Sequence, residues 1–375
     1  MNVLHVFRAP VGGLFRHVCD LVEQQAKMGL NVGIVCDAST GADNAVNKLQ
    51  QLEPYCKLGI HRLPMSRSLG VADVKVVQNL PELCKTMQLH IVHGHGAKGG
   101  AYGRFLAKRI KAKAIYTPHG GSLHYSMTNP VGAIYLTLER YLKKLTDGII
   151  FESQFSADAY QKKIGALPCA HKVIHNGLRE PEFSVLNRPN SKNQLVFVGE
   201  IRQLKGLDVL FQALALLKLG GLFLKKEAQT KLLVFGAGPD EDFFKKRVQE
   251  LGLNHIVSFN PPIFPATEAF KQAQCVIIPS LAESFPYIVL EAAAAKVPLL
   301  TTKVGGIPEI FGPYADHLLP PGDADLLAKA IQETLDNNAA AEQFAGQLYD
   351  YVHDHFTFMQ MVEKTVVFYQ ELLSE

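Results

Sequence analysis

Short runs of β-branched and apolar residues alternate with longer amphipathic stretches along almost the whole of this 375-residue chain. Val3–Phe7, Val32–Cys36, His90–His93, Ala114–Thr117, Gly148–Phe151 and Lys172–Ile174 read as strands. Leu14–Met28, Ala97–Ile110 and Val131–Leu145 read as the helices between them, and Gly29 stands where the first would take its C-terminal cap. Strands that pair in parallel need a crossover helix, so this alternation predicts parallel sheets covered by helices on both faces. The pattern breaks over Asn176–Asn193, which holds two prolines and no strong periodicity and reads as a linker. A second series follows at Leu195–Val198, Lys231–Phe235, Ile256–Phe259, Cys275–Ile278 and Leu299–Thr302. The expected fold class is α/β: two Rossmann-like doubly wound parallel-sheet domains facing each other across a cleft. Their expected bounds are 1–180 and 194–355, with a C-terminal helix in 356–375 packing back toward the first domain.

Composition narrows the functional classes. A chain of this length exceeds what one core usually supports, and 47% apolar with 19% charged residues excludes disorder. A net charge of +3 is too small to imply nucleic acid. Lys98, Arg104, Lys108, Arg109, Lys111 and Lys113 do bunch together. They read as a solvated helix face or, more sharply, as a patch for anionic lipid head groups. The six cysteines show neither Cys-x-x-Cys nor zinc-ligand spacing and read as buried small hydrophobes in a reducing compartment. The chain opens directly into a strand, with no leader pattern. Its longest apolar stretch, Ala213–Leu224, falls short of the roughly 20 residues that span a bilayer. The expected location is cytoplasmic, with peripheral contact at the inner face of the membrane as an option.

Ligands of open α/β sheets bind beyond the carboxyl ends of the strands, so the loops there carry the candidate chemistry. After the first strand, Gly12-Gly13 precedes a helix whose leading amides could attract an anion; a tight turn explains the pair equally well. His119 follows another strand in Thr117-Pro118-His119-Gly120-Gly121, and His93 and His95 stand at a third strand end. All three are expected to be presented to the cleft, as a polar sugar-binding lining, with zinc an open alternative. In the second half, Val198-Gly199-Glu200-Ile201-Arg202-Gln203-Leu204-Lys205-Gly206 sets Arg202 and Lys205 beside an incoming helix terminus, as a diphosphate site would. Glu283 lies in the loop after Ile278, followed by Ser284 and Phe285; Glu291 lies eight residues on, two turns along an apolar helix. A carboxylate there needs a partner, which the vicinal hydroxyls of a ribose or a structural cation would supply.

These motifs, in this order, resemble those of the retaining family 4 glycosyltransferases of the GT-B fold, over nearly the whole chain. Glu283…Glu291 matches the family's glutamate pair and Arg202 with Lys205-Gly206 its phosphate loop. Gly12-Gly13 and Thr117–Gly120 match its two N-domain motifs; Phe235–Pro239 and Val304–Glu309 match further landmarks. The chain departs from the pattern at Glu200, where many members carry Arg, and at Leu178-Arg179, where many carry an acid. The resemblance implies transfer of a sugar from a nucleotide-sugar donor to a glycan, lipid-linked or other hydroxyl acceptor, with retention of configuration. It implies that Arg202 and Lys205 neutralise the leaving diphosphate, that Glu291 holds the ribose, and that Glu283 with the Ser284 and Phe285 amides contacts the sugar or phosphates. His119 would hydrogen-bond the donor sugar, and Gly12 and Gly13 would give the diphosphate and acceptor room. No cofactor beyond the donor substrate and no metal is expected: Asp240-Glu241-Asp242, the one acidic string of metal-binding form, opens a helix where acids complement the helix end. A sugar-nucleotide epimerase, a retaining phosphorylase or a non-catalytic sugar-nucleotide binder would share such a fold. A dehydrogenase is disfavoured, because the Gly-x-Gly-x-x-Gly fingerprint is missing.

Overall fold

The computed structural model describes residues 1–121, 128–188, 194–220 and 231–374. The end of the expected linker (189–193) and residues 221–224 of the longest apolar stretch lie outside them. The chain divides into two compact units, Met1–Asn176 with Phe358–Glu375, and Gly177–Thr357.

The first unit runs β1 (Asn2–Phe7), α1 (Gly12–Lys27), β2 (Asn31–Asp37), α2 (Ala42–Leu52), β3 (Ile60–Leu63) and α3 (Val71–Leu83). It continues with β4 (Ile91–His95), α4 (Gly96–Ile110), β5 (Lys113–Thr117), α5 (Pro130–Leu142), β6 (Gly148–Phe151), α6 (Gln154–Ile164) and β7 (Ala170–Val173). Its seven strands pair in parallel in the order β3-β2-β1-β4-β5-β6-β7. Val3, Leu4, Val6 and Phe7 of β1 are all fully buried, as a central parallel strand covered on both faces requires.

The second unit runs β8 (Gln194–Val198), α7 (Leu207–Leu219), β9 (Lys231–Phe235), α8 (Glu241–Glu250), β10 (Val257–Asn260), α9 (Thr267–Phe270) and β11 (Cys275–Ile278). It ends with α10 (Tyr287–Ala294), β12 (Leu299–Thr301), α11 (Ile307–Phe311), α12 (Ala324–Asp336) and α13 (Asn338–His355). Its sheet is parallel, in the order β10-β9-β8-β11-β12. The last helix, α14 (Phe358–Ser374), packs in the first unit: Met361, Val362, Val366, Phe368, Tyr369 and Leu372 join the core under α1 and β1, and Lys172 meets Glu371 at 2.5 Å.

Strand bounds shift by a residue or two from expectation, as at β4, which runs on to His95, and at β7, which starts at Ala170. Two larger differences have physical causes. The elements α2, β3 and α3 carry little signal, since β3 is a half-buried edge strand and α3 contains Pro81. The basic cluster is not a single solvated face. Lys108, Arg109 and Lys111 are exposed, but Lys98 is buried against Asp73 at 2.6 Å and Arg104 is fully buried against Glu139 at 2.6 Å. The sharper lipid reading therefore loses two of its six cations to internal ion pairs.

The cysteines behave as small core residues. Five are buried, Cys169 is half-buried, and burial pushes the Cys36 and Cys275 thiols up to about 12.

Candidate active site

A doubly wound sheet opens a crevice where its strand order reverses, because the loops leaving the two strands there diverge. In the second unit that point lies between β8 and β11. The loop after β8 enters a turn of 3-10 helix at Gln203–Lys205, and the loop after β11 carries Glu283 toward α10. Lys205 Nζ donates to Glu283 Oε1 at 2.6 Å, and Ser280 Oγ donates to the same oxygen at 2.7 Å. Two residues 78 apart in sequence thus meet as one partly buried ion pair.

Close backbone approach builds this pair. Gly206 (φ +72) sits so near the β11 loop that a Cβ would stand 1.8 Å from the Pro279 carbonyl oxygen. Gly305 (φ +58) would place one 2.0 Å from the Glu283 carbonyl oxygen, and Gly306 N donates to Ser284 O at 2.7 Å. The Gly206 and Val304–Glu309 landmarks are therefore the packing that presses the Arg202–Gly206 loop and the Glu283 loop together. The Phe235–Pro239 landmark plays a similar part: Gly199 N donates to Phe235 O and Ile201 N to Ala237 O.

Of the other expected residues, Arg202 is half-buried, with its guanidinium 3.7 Å from Glu200 and apart from the Lys205–Glu283 pair. Phe285 is buried, its ring 5.6 Å from that of Phe356, while Ser284 is half-buried. Glu291 is half-buried on α10; because that helix begins at Tyr287, Glu291 stands just over one turn along it rather than two. Asp240 accepts from Gln203 N at 2.8 Å and Glu241 pairs with Lys245 at 2.6 Å, so two members of the acidic string have partners inside the protein.

In the first unit the reversal lies between β1 and β4. Gly12 (φ +66) and Gly13 open α1, whose N-cap residue, Val11, makes no side-chain capping hydrogen bond among the described residues. Beside them lies a group of five histidines. His93 and His95 contradict the sequence expectation: they are 0% and 1% exposed, because β4 is an inner strand whose end is covered. His119, at φ +49, is half-buried. His5 and His17, which motif reading passed over, are buried with them. A polar residue inside Val3-Leu4-His5-Val6-Phe7, a run buried on both faces, was the available signal, since such a group must find partners.

The rings are joined in a row. Gln25 Oε1 lies 2.9 Å from His5 Nε2, His5 Nδ1 lies 3.0 Å from His95 Nε2, and His95 Nδ1 lies 3.1 Å from His119 Nε2. His119 Nδ1 faces Glu152 Oε1 at 3.7 Å. A side branch sets His93 Nδ1 2.6 Å from the Tyr369 hydroxyl and its Nε2 2.8 Å from Thr117 Oγ1; His17 Nδ1 lies 3.0 Å from Asn176 Oδ1. Burial pulls the His5 ring down to about 4 and His119 to about 3, and it holds His17, His93 and His95 well below the usual imidazole range. The rings are neutral at pH 7, so each carries one ring proton. The nitrogens of His5, His93 and His95, and those of His17, His95 and His119, converge closely enough to hold a cation. Both nitrogens of His5, His93 and His95 already have hydrogen-bond partners.

Two tandem units, each a doubly wound parallel sheet with polar residues gathered at its strand ends, define the GT-B class of α/β protein. Residues 11–180 match the family model described as glycosyltransferase family 4, and residues 179–349 match that described as glycosyl transferases group 1. The chain belongs to this glycosyltransferase family. It is 26% identical over 358 residues to a D-inositol 3-phosphate glycosyltransferase of Catenulispora acidiphila, covering 88% of this chain and 83% of that one. It is 25% identical to an uncharacterized glycosyltransferase of Methanocaldococcus jannaschii, where the match spans 53% of each chain. Among solved structures it superposes on sucrose-phosphate synthase of Thermosynechococcus elongatus with a TM-score of 0.82 at 21% identity, over 100% of this chain and 99% of that one. It superposes on Anabaena HepE in complex with UDP-glucose with a TM-score of 0.79 at 18% identity, over 100% and 99%. At these identities the superpositions speak for the fold.

Proposed function

We propose that this chain transfers a hexosyl group from a nucleoside-diphosphate sugar to a hydroxyl of a sugar-containing or lipid-linked acceptor, with retention of configuration and without a divalent cation. The observation that carries the reading is the Lys205–Glu283–Ser280 cluster at the strand-order reversal of the second sheet. Departure of a diphosphate from a sugar develops negative charge on the leaving group and positive charge at the ring. The first needs preorganised cations and amides, and the second is eased by a nearby carboxylate. Lys205, held ready by Glu283, supplies the fixed cation, and half-buried Arg202 supplies a second. The incoming diphosphate takes over Lys205 Nζ, and Glu283, still held by Ser280, turns its free oxygen toward the sugar. Ser284 and Phe285 offer amides beside it, Glu291 holds the ribose, and Gly12 and Gly13 leave room at the other sheet's reversal. His119 contacts the donor sugar through Nδ1, the ring nitrogen not engaged with His95. The structure of HepE in complex with UDP-glucose supports the donor class by analogy of fold. We place the protein in the cytoplasm, with any peripheral contact at the inner membrane face resting on the exposed Lys108, Arg109 and Lys111.

A panel of nucleotide sugars tests the reading by thermal shift and by donor consumption with and without acceptor sugars. The cognate donor should raise the melting temperature in proportion to log concentration and be consumed at a rate indifferent to EDTA. Binding without turnover would leave a sugar-nucleotide binder. Loss of rate on chelation, restored by magnesium, manganese or zinc, would make the enzyme metal-dependent and bring the histidine triads and Asp240 and Asp242 forward as ligands.

A second expectation follows from Lys205. Its replacement by Ala removes a charge-assisted contact to the diphosphate worth about 1–3 kcal/mol, so donor affinity should fall roughly 5- to 150-fold. Isothermal titration with the cognate donor measures it, and a wild-type dissociation constant in Lys205→Ala would remove the phosphate-loop assignment.

A further inference from the structure

The buried row from Gln25 to Glu152 can be protonated in two ways. A neutral imidazole has one N–H and one bare nitrogen, so a row of such rings must run with every donor pointing in the same direction. In one direction His119 Nε2 donates to His95 Nδ1, His95 Nε2 to His5 Nδ1, and His5 Nε2 to the Gln25 amide oxygen. The bare Nδ1 of His119 then faces the Glu152 carboxylate, lone pair against anion, at 3.7 Å. In that direction Gln25 Nε2 is also a buried amide with no acceptor. In the other direction His119 Nδ1–H points at Glu152, His95 Nδ1–H at His119 Nε2, and His5 Nδ1–H at His95 Nε2. His5 Nε2 is then bare and accepts from the Gln25 amide, turned over about its terminal bond. The two ends of an amide are told apart by their hydrogen bonds, so this orientation is open to it. In the side branch His93 Nδ1 pairs with the Tyr369 hydroxyl and His93 Nε2 with Thr117 Oγ1.

We propose that Glu152 fixes the direction of this row, so that His119 carries its proton on Nδ1; at 3.7 Å that N–H is oriented by the carboxylate's charge without a formed hydrogen bond, and the donor sugar takes it as acceptor. Glu152 is the controlling positioning residue, acting on His119 directly and through it on His95 and His5. The row lies almost wholly in the core, with His5, Gln25 and His95 at 0–1% exposure, so water does not scramble the ring protons. The Coulomb preference of an anion for N–H over a lone pair is strengthened in such low-dielectric surroundings. The part played at the sugar rests on the donor reading given above, whereas the ring protons themselves are a property of the free protein.

The test is nitrogen-15 NMR of the ligand-free protein at pH 7 with labelled histidine, in which protonated and bare ring nitrogens are distinguished. The three rings are identified by single substitution. His119, His95 and His5 should each show the proton on Nδ1. Glu152→Met, which keeps the bulk and removes the acceptor, should lose that pattern at His119 and His95. Gln25→Met, at the far end, should leave His119 unchanged. Nε2–H rings in the wild type would overturn the proposal on their own. So would an Nδ1–H pattern that survives Glu152→Met, or one that Gln25→Met abolishes at His119. Kinetics add an arm that a purely structural role would not move: Glu152→Met should raise the KM for the donor several-fold more than it lowers kcat. If the NMR pattern holds and the kinetic split does not, the donor contact of His119 fails while the direction of the row stands.

Discussion

Replacing Glu139 by Leu should destabilise the first unit by about 3–5 kcal/mol, the usual cost of leaving a buried charge without its partner. Arg104 is 0% exposed and Glu139 2%. Their contact is two-pronged, at 2.6 and 3.0 Å, with Arg104 Nε on the Gly100 carbonyl at 2.8 Å and the guanidinium 4.1 Å from the centre of the Tyr116 ring. Tyr160 adds a hydroxyl to Glu139 at 3.0 Å. Water cannot reach the cation that Glu139→Leu leaves behind, so the loss appears as desolvation rather than as one missing contact. For a unit of this size, calorimetry should show a fall of about 6–20 °C in its melting temperature. The paired change Arg104→Met with Glu139→Leu should recover much of that loss, since apolar replacement of a whole buried ion pair is often near neutral. Arg109→Ala, five positions further along the same basic run but exposed, should change stability by less than about 0.5 kcal/mol. A single Glu139→Leu that costs under 1 kcal/mol would show that the pair is solvated.

Arg104 also marks where sequence reading stops. The alternation of strand and helix is a local property of composition, so the two parallel sheets were legible from it. The Lys205 and Glu283 motifs were legible too, because each lies in a loop that leaves a strand and therefore had to fall at the carboxyl edge of a sheet. That the two side chains touch was not, since the contact depends on which strands are neighbours, and β8 and β11 are adjacent only because the two strands between them in sequence, β9 and β10, lie on the other side of β8. The fate of the basic run failed for the same reason. The acids that bury Lys98 and Arg104 stand 25 and 35 residues away, on α3 and α5. His5 and His93 sit directly opposite each other in the β1–β4 register, a pairing fixed by sheet order rather than by spacing. Tyr369 and Gln25 complete that network from helices at opposite ends of the chain, where nothing in their neighbours announces the role.

The same histidines make the first unit sensitive to acid. A histidine whose folded pKa lies below its unfolded value of about 6.5 contributes nothing unfavourable at neutral pH, where both states are unprotonated. As pH falls below 6.5 the unfolded chain takes up a proton that the folded chain refuses, so stability drops by about 1.4 kcal/mol per pH unit per ring until the folded pKa is reached. For His5, held at about 4 by burial, that amounts to roughly 3 kcal/mol between pH 6.5 and 4. His17, His93, His95 and His119 are displaced in the same direction by the same cause, desolvation on burial. The first unit should therefore take up as many as five protons on unfolding near pH 5, and it should unfold well before Asp37 and Asp73 begin to titrate. Those two carboxyls are held below their usual range by hydrogen bonds, so their contribution disappears only as pH falls under about 4. The measurement is urea unfolding at half-unit steps from pH 7.5 to 4.5, followed by a probe in the first unit. Free energy should be level above pH 7 and fall ever more steeply below 6.5, with His5→Gln reducing the slope by about one proton. A free energy that stays level down to pH 5 would mean that the row accepts a proton while folded, and would place at least one imidazolium among the buried rings at the end of β1 and β4.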